Sequence, residues 1–211
     1  MVNSYRTIQA HPWHGIPVGA KAPQEINAFI ELIPLDTAKY EIDKLSGHLK
    51  LDRPHKYSSL CPTLYGFIPQ TFCGQKVAEL AAEQYGGKVL EGDKDPLDIC
   101  VLTEITVTRS SILVNARPVG GFRVLDSNEV DDKIISVLVN DPVYGHLKDL
   151  NEVPPGLVNR LKHYFLTYKA LPEESSRKRV EISDIYGAEE AYKVINKAIE
   201  DYHLLFQNNG S

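Results

Sequence analysis

The sequence predicts an α+β protein, mainly β, and three observations lead to this fold class. Short runs of alternating or β-branched residues recur between residues 28 and 139. Two amphipathic segments follow near the end of the chain. The strands lack helical crossovers between them, so we expect a small, mainly antiparallel barrel with flanking helices, two of them C-terminal.

The first part of the chain predicts an arm, a strand and a hairpin. Residues 1–26 show no hydrophobic period and contain three prolines, so we interpret them as an extended N-terminal arm that lies on the domain. Residues 28–33 form a short apolar run, which predicts a strand. Residues 37–43 alternate strictly, and residues 48–53 alternate again after a turn at Gly47. This pattern predicts a β-hairpin.

In the middle of the chain, residues 67–92 contain a short predicted helix over residues 76–85. The composition of the inner segment favours a helix, and Gly86 with Gly87 is a typical C-terminal stop. Four β-rich runs then predict strands at residues 98–102, 111–119, 122–126 and 133–139.

The end of the chain predicts two helices. The first opens at Pro154 and Pro155, because proline is favoured in the first turn of a helix. The second spans Gly187–Phe206. Both carry apolar side chains at helical spacing on one face. These are Leu157, Leu161, Tyr164, Phe165 and Tyr168 in the first, and Ala191, Ile195, Ala198, Tyr202 and Leu205 in the second.

The composition is that of an ordinary globular protein. The 211 residues suit one domain, 1–211, and are 43% hydrophobic and 24% charged. Lys and Arg number 23 against 28 Asp and Glu, which gives a formal net charge of −5. A general nucleic-acid binder or a binder of anionic membranes needs a basic surplus. We therefore expect neither a nucleic acid nor a membrane as a partner.

Cysteine usage and the N-terminus predict a cytoplasmic protein. The three cysteines are an odd number without a close pair, which is typical of a reducing compartment rather than a disulfide framework. The first residues lack the apolar core of a signal peptide, and no apolar run reaches membrane-spanning length.

The strongest chemical signal is Gly92–Asp98, where Asp93, Asp95 and Asp98 occur within six residues just before a predicted strand. Pro96 fixes its own φ, so we interpret the segment as a rigid turn. Repulsion among three carboxylates is costly unless a cation or protons neutralise it. Oxygen ligands alone suit a hard cation such as Mg²⁺. The alternative is an acidic, solvated loop.

Two other interpretations of this segment conflict with its residues. An EF-hand loop that begins at Asp93 would place Leu97 at a ligand position and Asp98 where glycine is required, so we reject it. A phosphatase with a nucleophilic aspartate would carry that residue after a buried strand. Here the predicted strand follows the acids, and we set this interpretation aside.

Two further charged groups are less specific. The first group precedes the strand predicted at 133–139 and consists of Asp126, Glu129, Asp131 and Asp132. A polar hairpin turn explains it adequately.

The second group consists of Glu31, Lys39 and Glu41. Alternation places Lys39 and Glu41 on one strand face, which is also typical of the solvated side of a half-buried sheet.

Together, these residues resemble the soluble family I inorganic pyrophosphatases, and the likeness runs from about Ile26 to Tyr202. The motifs that carry it follow the order and spacing of the family. They are Glu31-Leu32-Ile33-Pro34, Lys39-Tyr40-Glu41, Asp52-Arg53, Tyr65-Gly66, Asp93-x-Asp95-Pro96-Leu97-Asp98, Arg117-Pro118-Val119-Gly120, Asp126, Asp131-x-Lys133 and Tyr168-Lys169.

The resemblance implies an OB-like five-stranded barrel with flanking helices and Mg²⁺-dependent hydrolysis of pyrophosphate to two phosphates. Mn²⁺ accepts the same oxygen ligands and can substitute for Mg²⁺, so the sequence leaves the preference between the two metals open. It also implies a homo-oligomer, with a hexamer favoured over a dimer or trimer. Asp95 matches the family residue that accepts a proton from the attacking water. The implied metal ligands are Asp93, Asp98, Asp131, Asp126 and Glu31, supported by Glu41. The implied phosphate contacts are Lys39, Arg53, Tyr65, Lys133, Tyr168 and Lys169.

The sequence departs from the family pattern at Cys61, where a tyrosine is usual, and at Lys94, where glycine is usual. The connection from Tyr65 to Asp93 is longer than in the short bacterial members, and residues 1–21 have no counterpart. Two alternative functions stay open at this point. One is a barrel that binds nucleic acid, and the other is a non-catalytic metal- or phosphate-binding relative.

Overall fold

The computed structural model describes residues 9–84, 86, 90–169 and 180–207. Within these residues the chain forms ten β-strands and three α-helices. The strands are β1 (Ile26–Leu32), β2 (Ala38–Ile42), β3 (Leu49–Pro54), β4 (Leu64–Phe67), β5 (Glu91–Gly92), β6 (Asp98–Leu102), β7 (Ile112–Asp126), β8 (Glu129–Val130), β9 (Lys133–Leu138) and β10 (Val180–Gly187). The helices are α1 (Gln75–Gln84), α2 (Pro155–Thr167) and α3 (Ala188–Tyr202).

Five strands form a ring of hydrogen-bonded pairs. β1 pairs with β4, β4 with β6, β6 with β9, β9 with β7, and β7 returns to β1. Four of these five pairings are antiparallel, and the β6–β9 pairing is parallel. The ring and its helices confirm the predicted α+β class and the OB-like five-stranded architecture. β2 and β3 form the predicted hairpin as a separate two-stranded sheet.

β7 differs from the expectation. The sequence patterns predict two strands, 111–119 and 122–126, whereas the structure has one strand over Ile112–Asp126, so the division into two is wrong. The predicted break falls at Gly120 and Gly121. The strand continues through both glycines, with a register shift between Pro118 and Gly120 in the pairing with β9. The first half of β7 pairs with β1 and the second half with β10. The sequence patterns do not predict β4, β10 or the two-residue strands β5 and β8.

The three helices lie close to the bounds predicted from the sequence. Gly86 follows α1 with a φ of +72°, the left-handed conformation that favours glycine at a helix end, while Tyr85 and Gly87 lie outside the described residues. α3 ends at Tyr202 and continues as one π-helical turn, His203–Gln207, instead of as an α-helix over the full predicted length. Among the helices that the structure describes, none is long and apolar enough to cross a membrane.

Two apolar cores hold the helices against the strands. α1 and α3 share the first core, in which Val77 and Ile195 are at most 1% exposed. α2 packs on the second core through Leu161 and Phe165. Full burial of one such side chain contributes roughly 1.5–3 kcal/mol. The predicted stripe of α3 is buried except at its end, since Leu205 is 41% exposed.

The described part of the N-terminal arm, residues 9–25, is a series of turns rather than one extended segment. A bridge between Lys21 and Glu25 closes the last of these turns. Trp13 anchors the arm, because its side chain is buried and its indole N–H donates to the backbone oxygen of Thr71 at 2.8 Å. The arm therefore packs on the segment that leads into α1.

Candidate active site

The candidate site lies where β6 and β9 begin. These two strands are parallel, and Asp98, the first residue of β6, stands opposite Lys133, the first residue of β9. Because parallel strands start at the same edge, the segments that precede them meet there. This topology brings Asp93 and Asp95, which precede β6, to the same edge as Asp131, which precedes β9.

A cleft of about 310 Å³ opens at this edge. It contains every site residue implied by the resemblance except Glu31 and Glu41. The end of α2 and the β2–β3 hairpin contribute its other walls. The lining residues are Lys39, Arg53, Tyr65, Asp93, Asp95, Asp98, Asp126, Glu129, Asp131, Lys133, Tyr168 and Lys169.

Lys133 is a buried cation in this cleft. Its side chain is 3% exposed, and its ammonium donates hydrogen bonds to the carboxylates of Asp98 and Asp131. Burial alone lowers the pKa of Lys133, but the charges of Asp131 and Asp98 outweigh it and hold this pKa well above its ordinary value. Burial likewise opposes ionisation of Asp131, yet Lys133 lowers the pKa of that carboxyl. Lys133 therefore stays charged and neutralises part of the acidic cluster.

Tyr65 reaches the same carboxylate from β4, which pairs antiparallel with β6. Its hydroxyl donates a hydrogen bond to Asp98. Burial, with the charges of Asp98 and Asp131, raises the pKa of Tyr65 well above its ordinary value. The phenol thus keeps its proton and remains an O–H donor. Burial also raises the pKa of Asp98, although Lys133 opposes the shift.

The turn that carries Asp93 and Asp95 is tightly closed. Oδ1 of Asp93 accepts a hydrogen bond from the backbone N–H of Asp95 at 3.0 Å. Lys94, between them, has a φ of +65°, a left-handed conformation that is strained for a residue with a side chain. Burial, followed by the charge of Asp131, raises the pKa of Asp93 to about 9. A cation bound here would favour the charged form of Asp93.

The β2–β3 hairpin supplies cations to the cleft. Lys39 and Arg53 stand opposite each other in its register. Lys39 Nζ lies 3.0 Å from a carboxylate oxygen of Glu41 and 3.3 Å from one of Asp52, and Arg53 pairs with Asp52 as well. Burial lowers the pKa of Lys39, but its hydrogen bond to Glu41 and the charges of Glu41 and Asp52 outweigh burial and raise it. Lys39 is therefore held in its charged form beside acids.

Two more lysines pair with the acids. Lys169 Nζ donates to Oδ2 of Asp126 at 2.8 Å, and the ammonium of Lys44 pairs with Asp95. Sequence reasoning missed Lys44, because Lys44 lies in the turn after β2 and no local pattern indicates its contact with Asp95. It also interpreted Glu129 as a turn residue, whereas the structure places it in the cleft wall.

Glu31 and Glu41 lie beside the cleft, in a neighbouring pocket of about 100 Å³ that Asp95 and Asp98 also line. Glu31 is 7% exposed, and its Oε1 accepts a hydrogen bond from the backbone N–H of Ile42 at 2.7 Å. Burial raises the pKa of Glu31 to about 8, and the charge of Asp98 adds to this shift. Glu31 thus connects β1 to the hairpin as well as facing the acids.

The donor set of the cleft fits a hard divalent cation. Its candidate ligands are carboxylate oxygens, the groups that Mg²⁺ prefers. The raised pKa values of Asp93 and Asp98 reflect burial and mutual repulsion, which a bound cation would relieve. Across the described part of the chain, no three acidic, histidine or cysteine side chains already surround one point as a metal site. Asp98, Asp131 and Asp126 are paired with lysines.

Comparison with known sequences identifies the family. A family model described as inorganic pyrophosphatase matches residues 28–203. The inorganic pyrophosphatase of Chlamydia trachomatis is 48% identical over 200 residues, which cover 93% of this chain and 96% of that protein. Soluble inorganic pyrophosphatase 1 of Arabidopsis thaliana is 34% identical over 199 residues, which cover 94% of this chain and 83% of that protein.

Solved structures agree with the sequence comparison. The crystal structure of inorganic pyrophosphatase from Thermus thermophilus matches with a TM-score of 0.75 at 30% identity, covering 92% of this chain and 99% of that one. The type I inorganic pyrophosphatase of Toxoplasma gondii matches with a TM-score of 0.76 at 25% identity, covering 94% and 89% of the two chains. The chain therefore belongs to the inorganic pyrophosphatase family and is an inorganic diphosphatase.

Proposed function

We propose that the cleft at the start of β6 and β9 hydrolyses pyrophosphate to two phosphates with Mg²⁺ held by its carboxylates. The observation that supports this most strongly is the convergence of acids and cations from separate elements in one cleft of about 310 Å³. Acids alone would repel a phosphate anion, whereas acids that hold metal ions, set among lysines and an arginine, attract it.

Asp93, Asp98 and Asp131 are the principal proposed metal ligands. Asp126 and Glu31 would hold further ions that arrive with the substrate, and Glu41 would support them. Bound Mg²⁺ supplies charge neutralisation of the phosphates and lowers the pKa of a coordinated water. Mn²⁺ accepts the same oxygen ligands, so we propose it as a substitute.

The cationic and phenolic side chains would hold the phosphate oxygens. Arg53 presents a planar fork of N–H donors, and Lys39 and Lys169 present point charges. Phosphoryl transfer depends on positioning and on stabilisation of charge far more than on covalent help from the protein, so these contacts are where its residues act on the reaction. The complete proposed set is Lys39, Arg53, Tyr65, Lys133, Tyr168 and Lys169.

Asp95 is the proposed catalytic base. It accepts a proton from the water whose oxygen attacks one phosphorus atom. The bond from that phosphorus to the bridging oxygen breaks, the bridging oxygen leaves with the second phosphate, and the proton passes to solvent. Lys44 pairs with Asp95 but is 55% exposed, so its ammonium can leave the carboxylate at little cost.

We also propose, from the resemblance to the family, that the protein is a cytoplasmic homo-oligomer and that a hexamer is its favoured form. Sedimentation velocity of the purified protein at several concentrations tests the assembly. A hexamer supports the proposal, and a stable monomer contradicts it. A dimer or trimer would contradict the hexamer while retaining the homo-oligomer.

The central experiment measures phosphate release from pyrophosphate with and without Mg²⁺. We expect release only when a divalent cation is present. Asp95→Asn should lower turnover by roughly 10²–10⁴-fold, the usual contribution of a general base. Asp184→Asn is the matched control, because Asp184 is an exposed aspartate on β10, away from the cleft.

Two outcomes would contradict the proposal. Wild-type protein that releases no phosphate with Mg²⁺ would exclude the activity. Near-normal turnover of Asp95→Asn would remove Asp95 as the base.

The rise in melting temperature that Mg²⁺ induces should be similar in Asp95→Asn and the wild type, because the principal proposed ligands are unchanged in the variant.

A further inference from the structure

Asp201 lies near the end of α3 and is 5% exposed, although it is a carboxylate. It accepts hydrogen bonds from three backbone N–H groups at the start of α1. Gly74 and Val77 donate to Oδ2 at 3.0 and 3.1 Å, and Lys76 donates to Oδ1 at 3.1 Å. The first turn of α1 contains no acid of its own. The N-terminus of α1 is therefore capped by a side chain from another helix.

Cys73 immediately precedes the first turn of α1. Its backbone forms hydrogen bonds with the turn at residues 93–95, called the acidic turn below. Its N–H donates to the backbone oxygen of Asp95 at 2.8 Å, and its carbonyl oxygen accepts from the N–H of Lys94 at 3.1 Å. On the other side of Cys73, the N–H of Phe72 donates to the backbone oxygen of Ala198 in α3 at 2.9 Å. The last turns of α3 therefore form hydrogen bonds with the backbone on both sides of Cys73, and Cys73 forms hydrogen bonds with the acidic turn.

Two glycines show how closely these segments approach. A Cβ on Gly92 would lie 2.0 Å from the backbone oxygen of Cys73, which no side chain tolerates. A Cβ on Gly74 would lie 3.0 Å from Cγ of Asp201. Little space is left between Asp201 and the backbone that it caps, so movement of the carboxylate would displace that backbone.

We propose that Asp201 is a positioning residue for Asp93 and Asp95, and this inference rests on the roles proposed for those acids. The physical route runs from the Asp201 carboxylate through the backbone of residues 72–77 to the acidic turn. That turn needs support, because Lys94 holds a left-handed φ of +65° within it. A displacement of about 1 Å at catalytic groups costs as much as 10²-fold in rate.

The test compares Asp201→Ala with Asp141→Ala. Asp141 is also 5% exposed, and it accepts hydrogen bonds from the backbone N–H groups of Glu104, Val143 and Tyr144. It lies beyond the far end of β6, away from the acidic turn. Both variants remove a buried carboxylate that accepts hydrogen bonds from backbone N–H groups. Only Asp201 contacts the segment, residues 72–77, that leads to the acidic turn.

The measurements are kcat, KM for pyrophosphate at saturating Mg²⁺, and the rise in Tm on addition of Mg²⁺, which does not depend on turnover. We expect Asp201→Ala to lower kcat by roughly ten- to hundredfold and to reduce the Mg²⁺-induced rise in Tm. Its KM should stay close to the wild-type value. The proposed phosphate contacts Arg53 and Lys169 lie on elements that Asp201 does not cap. Asp141→Ala should lower Tm while its kcat and Mg²⁺ response stay at wild-type values.

Two further variants separate positioning from general loss of stability. Asp201→Asn keeps an acceptor oxygen and should recover part of kcat. Gly74→Ala keeps the carboxylate but pushes against it, and should lower kcat without removing any charge. The inference is overturned if Asp201→Ala and Asp141→Ala change kcat and the Mg²⁺ response equally. It is also overturned if Gly74→Ala folds with wild-type kcat.

Failure of this inference is distinguishable from failure of the proposed function. Near-normal turnover of Asp95→Asn refutes the proposed base whatever Asp201→Ala does. Equal behaviour of the two buried-aspartate variants refutes the positioning role even when Asp95→Asn is inactive.

Discussion

Asp98 and Lys133 stand opposite each other at the first positions of two parallel strands, and the Lys133 ammonium donates a hydrogen bond to the Asp98 carboxylate. The same ammonium contacts Asp131. One buried cation therefore holds together acids from the starts of two strands. The register that joins β6 to β9 in the ring also sets the positions of these acids.

Lys133→Met should destabilise the metal-free protein, because it leaves Asp98 and Asp131 without their shared cation. We expect the free energy of unfolding in urea to fall by about 3 kcal/mol. Added Mg²⁺ should restore part of this loss by replacing the missing charge. Lys193→Met is the control, since Lys193 is 61% exposed and its ion pair with Glu190 contributes at most about 1 kcal/mol. Equal losses in the two variants would refute the prediction.

Lys169→Ala should weaken substrate binding without unfolding the chain. It removes a charge proposed to hold a phosphate oxygen and leaves Asp126 without its partner. We expect KM for pyrophosphate to rise by roughly tenfold or more, the usual effect of losing a hydrogen bond to a charged group. Lys148→Ala, at an exposed lysine outside the cleft, serves as the control. Loss of the cooperative thermal transition in Lys169→Ala would instead indicate a structural role.

Mg²⁺ binding should release protons at neutral pH. The pKa of Asp93 is about 9 and that of Glu31 is about 8, so both carboxyl groups hold a proton at pH 7 in the metal-free protein. Ligation by Asp93 requires its charged form, so we expect Mg²⁺ alone to release roughly one proton per site. The Glu31 proton should leave only when further ions bind with the substrate. Calorimetric titration in two buffers with different ionisation enthalpies counts these protons. Heats that are independent of the buffer would contradict the prediction.

The same shifts predict a pH dependence for stability. Both carboxyl groups have folded pKa values above their ordinary 3.8 and 4.5, so the folded state binds more protons than the unfolded chain between about pH 4 and 9. These groups should therefore stabilise the metal-free protein most at low pH. Their contribution falls progressively above about pH 4 and is lost as pH rises through 8 and 9. Urea unfolding at pH 6 and pH 9, with and without Mg²⁺, measures this contribution. A loss at high pH that Mg²⁺ does not reduce would contradict the assignment.

Lys94→Gly should stabilise the protein slightly. Lys94 has a φ of +65°, which glycine adopts without the penalty that a side chain imposes. The greater freedom of glycine in the unfolded chain offsets part of the gain, so we expect an increase of at most about 1 kcal/mol in the free energy of unfolding. Its exposed ion pair with Glu91 contributes little. A lower urea midpoint in Lys94→Gly would contradict this reasoning.

Local patterns predicted most of the secondary structure because they depend only on neighbouring residues. Strict alternation identified the hairpin, and the apolar stripe with Pro155 identified α2. Sequence reasoning missed four strands. β5 and β8 have two residues each, β4 has four, and β10 has an irregular burial pattern. β7 was divided wrongly at Gly120 and Gly121, because glycine weakens a strand, whereas here the strand continues through both with a register shift beside them.

The sequence by itself determined the fold class, the acidic turn and the family, because alternation, helical spacing and motif order are properties of the linear chain. Only the tertiary structure decided that β6 and β9 run parallel, that Lys44 reaches Asp95, and that Asp201 caps α1. Each of these contacts joins residues distant in sequence. Their geometry depends on which strands and helices pack together, and no local pattern records that choice.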